Sequence, residues 1–171
     1  MDARRESEPS PMKNRTTVER KSERALVATR TVNGPARLVF QAWTTPELFR
    51  QWWVPKSMGM SLLSCEMDVR VGGKYRLEFA HGDSQSAFFG TYKEVTPHAR
   101  LVWTNEESEE GSVTTVTFAE KGGKTLLVMH ELYPSKEALD AAGTGAADAT
   151  VETFAQLDEL LVTLGASVGR S

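Results

Sequence analysis

FQAWTTPELFRQWWVP, Phe40–Pro55, holds three of the four tryptophans in the 171-residue chain. Indole rings packed this densely serve one of two ends, a close-packed core or the wall of a pocket. Just upstream, ALVATRTV (Ala25–Val32) is rich in β-branched residues and reads as a strand. Asn33-Gly34-Pro35 breaks it, and Pro35 suits the first turn of a helix. Leu38, Val39, Ala42 and Trp43 then recur at helical spacing. Thr44 or Thr45 can cap a second short helix, with Pro46 at its first position and Glu47 near its N-terminus. That helix carries Leu48, Phe49, Trp52 and Trp53, and Pro55 limits its extension. Trp52 and Trp53 are adjacent, so on a helix they diverge by about 100°. One is expected to anchor the helix pair and the other to reach a cavity mouth, whereas Trp43 falls on the apolar face and reads as core.

Downstream the pattern changes to alternation. Strands are expected over Met60–Val69, over Lys74–Ala80 with Tyr75, Leu77 and Phe79 on one face, and over Ser86–Val95. Further strands are expected at Leu101–Glu106, at Val113–Glu120 with Thr114, Val116 and Phe118 on one face, and at Thr125–Tyr133. Gly72-Gly73, His81-Gly82-Asp83, the acidic stretch ESEEGS and Lys121-Gly122-Gly123-Lys124 supply the turns. Neighbouring strands joined by short turns make an antiparallel meander. SKEALDAA then reads as a short helical patch that GTGA interrupts. DATVETFAQLDELLVTLGA follows as a long amphipathic helix with Val151, Phe154, Leu157, Leu160, Leu161 and Leu164 on one stripe and Gly165 as its stop. The fold class is therefore α+β: a curved antiparallel sheet wrapped around a long C-terminal helix, with two short helices after the first strand. Such a helix rarely fills the concavity of a bent sheet, and the remainder can be a ligand cavity.

The charge and cysteine content narrow the function classes. A net charge of −3 gives no footprint for nucleic acid. Cys65 is the single cysteine, so no internal disulfide forms, no Cys-rich zinc site exists, and a reducing, cytoplasmic setting is expected. No apolar run approaches the roughly 20 residues of a membrane helix. The first 24 residues mix both charge signs without an apolar segment, which is not a signal peptide and predicts a disordered arm. The domain is expected over 25–165 and a flexible tail over 166–171. No cofactor or metal motif is present, and neither a phosphate-binding loop nor a nucleophile elbow occurs.

Five pieces in order resemble the START-like, Bet v 1-like (SRPBCC, helix-grip) superfamily, and more closely its bacterial AHSA1-like branch, similar to the C-terminal domain of the Hsp90 ATPase activator. They are VNGPARLVFQAWTTPELFRQWWVP, CEMDVRVGGKYRLEF, GTYKEVTPHARLVWT, GGKTLLVMHELYPSKEALDAA and FAQLDELL, covering about Ala25 to Leu164. The resemblance implies a deep apolar cavity. Members of the superfamily include aromatases and cyclases, lipid and hormone binders, and the chaperone-contacting activator. Members commonly carry Gly followed by Met or Trp near the start of the long helix. Ala149 and Thr150 stand there in this chain, which implies a roomier or more polar end of the pocket.

The leading expectation is a module binding a small hydrophobic or amphipathic ligand. Trp52, Trp53, Phe79, Phe88, Trp103, Phe118, Met129 and Phe154 are the lining candidates. A one-residue error in strand parity would swap faces. The alternative of a cyclase or hydrolase needs a polar group inside the cavity, for which Glu66, Glu94 and His130 are the candidates, because a carboxyl held in apolar surroundings can act as acid or base. His130 and Glu131 are adjacent on a strand and so cannot share one face. Asp68 is expected to pair with Arg70 or Arg76. His81 and His98 read as solvated turn residues. A third alternative is a chaperone co-regulator or other protein partner. A homodimer is compatible with all three, since Leu126, Val128 and His130 oppose Leu127 and Met129 and leave the last strand apolar on both faces.

Overall fold

The computed structural model describes residues 16–106 and 111–169. Eight strands form one antiparallel sheet: β1 (Thr17–Arg20), β2 (Ala25–Val32), β3 (Ser61–Met67), β4 (Lys74–His81), β5 (Ser84–Thr96), β6 (Arg100–Thr104), β7 (Val113–Lys121) and β8 (Lys124–Leu132). Their spatial order is β1-β2-β8-β7-β6-β5-β4-β3. Helices α1 (Ala36–Thr44) and α2 (Pro46–Trp52) carry the chain from β2 to the far edge strand β3, and α3 (Lys136–Gly169) closes the fold. This is the expected α+β helix-grip architecture.

The sheet bends where β5 changes partner. Its first part pairs with β4, with Gly90 opposite Tyr75, and its last part pairs with β6. A Cβ on Gly90 would meet the Thr104 carbonyl oxygen at 1.7 Å, so only glycine permits this approach. A bulge between Tyr92 and Glu94 follows at once and adds local twist.

The helices are placed by specific contacts. The Ala36 N–H at the start of α1 donates to the Glu120 carboxylate at 2.9 Å, so a strand residue supplies the N-terminal acceptor. Thr45 occupies the cap position of α2 but makes no side-chain bond, and Thr44 donates instead to the Phe40 carbonyl at 2.8 Å. Proline at the first turn of α2 removes one donor that a cap would otherwise satisfy. Trp52 Nε1–H donates to the Ala42 carbonyl at 3.0 Å and locks α2 onto α1. On the other side, Asp158 of α3 accepts from the Arg30 guanidinium at 3.0 Å, and from both the backbone and the side-chain amide of Asn33. This buried pair ties α3 to the end of β2.

Three boundaries differ from expectation. A strand lies inside the segment read as an arm: Thr17–Arg20 forms β1, with Val18 opposite Ala28 and packed on the core. One apolar residue among charges carries little sequence signal, and the strand forms because β2 offers a partner backbone. Residues 1–15 and 170–171 of the expected arm and tail lie outside the described residues, as do 107–110 of the acidic turn. GTGA does not interrupt the final helix, and Gly165 does not stop it; α3 runs unbroken to Gly169. A glycine in a helix interior costs about 1 kcal/mol against alanine, which weakens a helix without breaking it as proline would.

Candidate functional site

The concave face divides into a filled half and a hollow half. Trp43 is the centre of the filled half. Its ring lies 4.7 Å from Trp52, 5.9 Å from Trp103 and 6.2 Å from both Phe118 and Phe154, between centroids. One indole thus joins α1 to α2, to strands β6 and β7, and to α3. Trp43, Trp52 and Phe154 are fully buried. Trp52, Phe118 and Phe154 are therefore core residues and not cavity lining. Each lies on an element's inner face, where the helices already cover it.

The hollow half is a cavity of about 340 Å³, near the lower end of the range of about 300–1,000 Å³ common for small-molecule sites. Its first wall is the segment after α2, Trp53-Val54-Pro55, together with Met60. Phe79, Phe88, Met129 and Glu131 of the sheet form the second. Ala149, Thr150 and Thr153 of α3 form the third. Of the expected lining set, Trp53, Phe79, Phe88 and Met129 stand here. Phe79 and Phe88 pack ring to ring at 5.1 Å. Trp103 instead borders a smaller inner pocket of about 40 Å³, with Trp43, Met67, Leu77, Tyr92 and Asn105 among its walls. Trp53 and Phe88 line both spaces and stand between them. Phe88 is 42% exposed, which leaves the cavity open on this side.

Two side chains of α3 hold the first wall in place. The Gln156 amide donates to the Trp52 and Val54 carbonyls, both at 2.9 Å, and its carbonyl accepts from the Lys56 N–H at 2.9 Å. Glu152 accepts from the Ser57 N–H at 2.9 Å and from the Ser57 hydroxyl. These bonds to Ser57 hold the Glu152 carboxyl below its ordinary range. These bonds reach the last residue of α2 and the chain immediately after it, so the wall is fixed by hydrogen bonding as well as by packing.

The polar candidates are placed otherwise than expected. Glu66 is exposed and sits opposite Arg76 on the outer face. Glu94 would share the inner face with Tyr92 under strict alternation, but the bulge between them shifts it opposite Val102, where it accepts from Arg100 at 3.1 Å. His130 alternates with the buried Met129 and pairs with Val27 and Thr115 on the outer face. None of the three borders the cavity. Asp68 pairs with Arg70 at 2.9 Å, as expected, while Arg76 pairs with Glu78. His98 adopts a positive φ of 65° in its turn and packs edge-on against Phe40.

Among the described residues, the carboxylate that does border the cavity is Glu131. The signal for it lay in the sequence: if Met129 faces inward, the residue two positions on faces inward too. Tyr133 donates its hydroxyl to Glu131, and the Tyr133 pKa is pushed up by burial first and then by the Glu131 charge and this bond. The phenol stays protonated at neutral pH. Met129, Glu131 and Thr150 also line a small recess running on toward Val18, Leu26 and Ala28. Deeper in, the Tyr92 pKa is also raised, again by burial first and then by Cys65 and Asp68. Cys65 is pushed up to about 11, chiefly by burial, so its thiol is unreactive at neutral pH. Among the described residues no three His, Cys, Asp or Glu side chains converge as a metal site, and no helix is long and apolar enough to cross a membrane.

This geometry can be set beside known proteins. The sequence profile of the family described as Activator of Hsp90 ATPase homolog 1-like protein matches residues 33–162. No curated protein matches the chain. A crystal structure of a Rhodobacter sphaeroides protein is similar with a TM-score of 0.80 at 22% identity, covering 87% of this chain and 99% of that one. One from Nitrosomonas europaea gives 0.78 at 24% identity, with 86% and 99% covered. The solution structure of an AHSA1-like protein from Aeromonas hydrophila gives 0.62 at 19% identity, with 81% and 94% covered. At these identities the structural likeness speaks for the fold alone, and the profile match speaks for the family: the chain belongs to the Activator of Hsp90 ATPase homolog 1-like family.

Proposed function

We propose that the chain binds a small hydrophobic or amphipathic molecule in the cavity between Trp53–Pro55, the Phe79–Phe88 pair and the Ala149–Thr153 turn of α3. The single observation that carries this reading is the cavity itself. It measures about 340 Å³ and is walled almost wholly by apolar side chains, in a molecule that elsewhere packs aromatic rings at contact distance. Apolar walls of this extent, open to water, favour an apolar occupant that takes their surface out of water. Ala149 and Thr150 keep one end of the space open, where a larger side chain would fill it.

A cyclase or hydrolase reading through Glu66, Glu94 or His130 has no support, since none of them borders the cavity. The exposed large apolar residues Leu63, Leu126 and Val162 sit on β3, β8 and α3 and do not argue for one partner face. A cytoplasmic setting fits a chain with one cysteine and belongs to the same proposal.

The test is titration with 1-decanol, read by tryptophan emission, because Trp53 lines the cavity and is only half-buried. A saturable change is expected, and Trp53→Phe should remove most of it while binding measured by calorimetry persists. No saturable change in emission or heat with 1-decanol or with a polycyclic apolar probe such as pyrene contradicts the reading.

A further inference from the structure

The Trp43 indole is fully buried, and among the described residues its Nε1–H has no hydrogen-bond acceptor. The contrast with Trp52 is direct, since that Nε1–H donates to the Ala42 carbonyl at 3.0 Å. A buried donor without an acceptor carries its full desolvation cost, and such a group in a folded protein calls for an explanation. Rings of α2, β6, β7 and α3 surround the indole, and aromatic faces are weak acceptors at best. Open space lies beside it, because Trp43 lines the inner pocket of about 40 Å³ together with Tyr75, Tyr92, Trp103 and Asn105. A water-sized group needs about 10–15 Å³ of such space, so the pocket admits a small functional group and not a ring.

The rest of this wall is neutral and largely committed. The Asn105 amide donates to the Ser112 hydroxyl at 2.9 Å and to the Thr114 hydroxyl at 3.0 Å, and its carbonyl accepts from the Tyr75 hydroxyl at 2.8 Å. Tyr92 keeps its proton, because burial first of all holds its pKa up. Among the described residues no charged side chain lines the pocket. A neutral donor among mostly apolar walls suits a neutral acceptor, since burying a charge there is costly.

From this we propose that the inner pocket is a subsite for a carbonyl oxygen, with the Trp43 N–H donating to the ketone or aldehyde end of a ligand whose apolar body lies in the 340 Å³ cavity. The inference rests on the proposed ligand cavity. Trp53 and Phe88 line both spaces, so a ligand that passes between them joins the two. Its body meets Phe79 and Met129, and its oxygen supplies the acceptor that the indole lacks.

The experiment titrates acetophenone and α-methylstyrene, which differ only in C=O against C=CH2, into the full chain carrying isotope-labelled tryptophan. Each of the four tryptophans gives one indole N–H resonance. Trp52→Phe, Trp53→Phe and Trp103→Phe identify three of them, which leaves that of Trp43. The Trp43 N–H proton should lie further downfield in the ketone complex than in the alkene complex. Trp43→Phe keeps a ring and removes the donor, and it should lower the ratio of ketone to alkene affinity about tenfold relative to wild type. If Trp43→Phe fails to fold, the resonance in the two wild-type complexes decides. One Trp43 position in both complexes, or an affinity ratio unchanged in Trp43→Phe, overturns the subsite, and saturable binding of either probe then leaves the cavity reading standing. If neither probe binds but 1-decanol does, the subsite alone falls. If none of the three binds, both fall together.

Discussion

The two halves of the concave face are built on the same helix and differ in how it meets the sheet. Along the Phe154–Leu161 part of α3, Phe154, Leu157 and Leu161 are fully buried, Trp43 meets rings of α2, β6, β7 and α3 edge-on or tilted, and Asp158 locks the helix to Arg30. One turn earlier, Ala149, Thr150 and Thr153 face Phe79, Phe88 and Met129 across open space. A single run of helix therefore acts as a core element at one end and as a cavity wall at the other. Side-chain size makes the difference, because the backbone of α3 continues through both.

The sharpest way to break this contrast is to attack the filled half. Asp158→Ala leaves the buried Arg30 guanidinium without its carboxylate partner. Breaking a buried pair in this way costs on the order of 3–5 kcal/mol. Trp43→Ala removes the ring shared by α1, α2, β6, β7 and α3, with a similar expected loss of about 3–5 kcal/mol. Chemical denaturation of each variant reads both losses. If either variant melts within about 1 kcal/mol of wild type, the filled half is not the source of stability.

Between the two halves stands Gln156. Gln156→Leu keeps the volume but strips partners from the Trp52 and Val54 carbonyls and the Lys56 N–H. A loss of about 1–3 kcal/mol is expected, together with faster hydrogen exchange at Lys56. The neighbouring Glu152 link adds a pH arm. Its carboxyl lies below its ordinary value when folded, so its contribution is present above the unfolded pKa and is lost as pH falls through the folded one. The exchange protection factor at Ser57, corrected for the intrinsic pH dependence of exchange, should accordingly fall on acidification in wild type but not in Glu152→Gln.

The smallest stability effect belongs to the hollow half. Phe88→Ala removes a side chain already 42% exposed, and the expected cost is under about 1 kcal/mol, with weaker ligand binding as its main consequence. Cys65 offers a probe that leaves the fold unchanged. With its pKa pushed up to about 11 from 9.0, alkylation of the native chain at pH 8 should run roughly a hundredfold slower than for the unfolded chain.

The sequence made the filled half legible and the hollow half only partly so. Period-3.6 spacing marked Trp43, Phe154, Leu157 and Leu161, and all four are buried. Divergence of Trp52 and Trp53 on a helix correctly separated an anchor from a residue nearer the surface. Alternation placed Phe79 and Met129 inward. The misplaced residues share physical causes. Glu94 followed alternation until a bulge shifted it, and a bulge leaves little trace in one sequence. Phe118 faces inward as expected, yet the helices already cover it, and coverage is a tertiary property. Glu131 was overlooked beside His130, although the inward parity of Met129 implied it. Gln156 and Asp158 lie on the buried side of α3 and so read as polar breaks in an apolar stripe. Their partners are distant in sequence and could not be read from spacing.

The ligand cavity proposed beside Ala149 and Thr150 can be closed from within the fold. Thr150→Phe fills that space from α3, away from the Trp43 cluster, and calorimetry follows 1-decanol titrated into both proteins. Wild type should bind in a saturable 1:1 manner, and the variant should bind at least about tenfold more weakly while melting no lower than wild type. Equal binding by the two proteins, or none by wild type, would contradict the cavity reading.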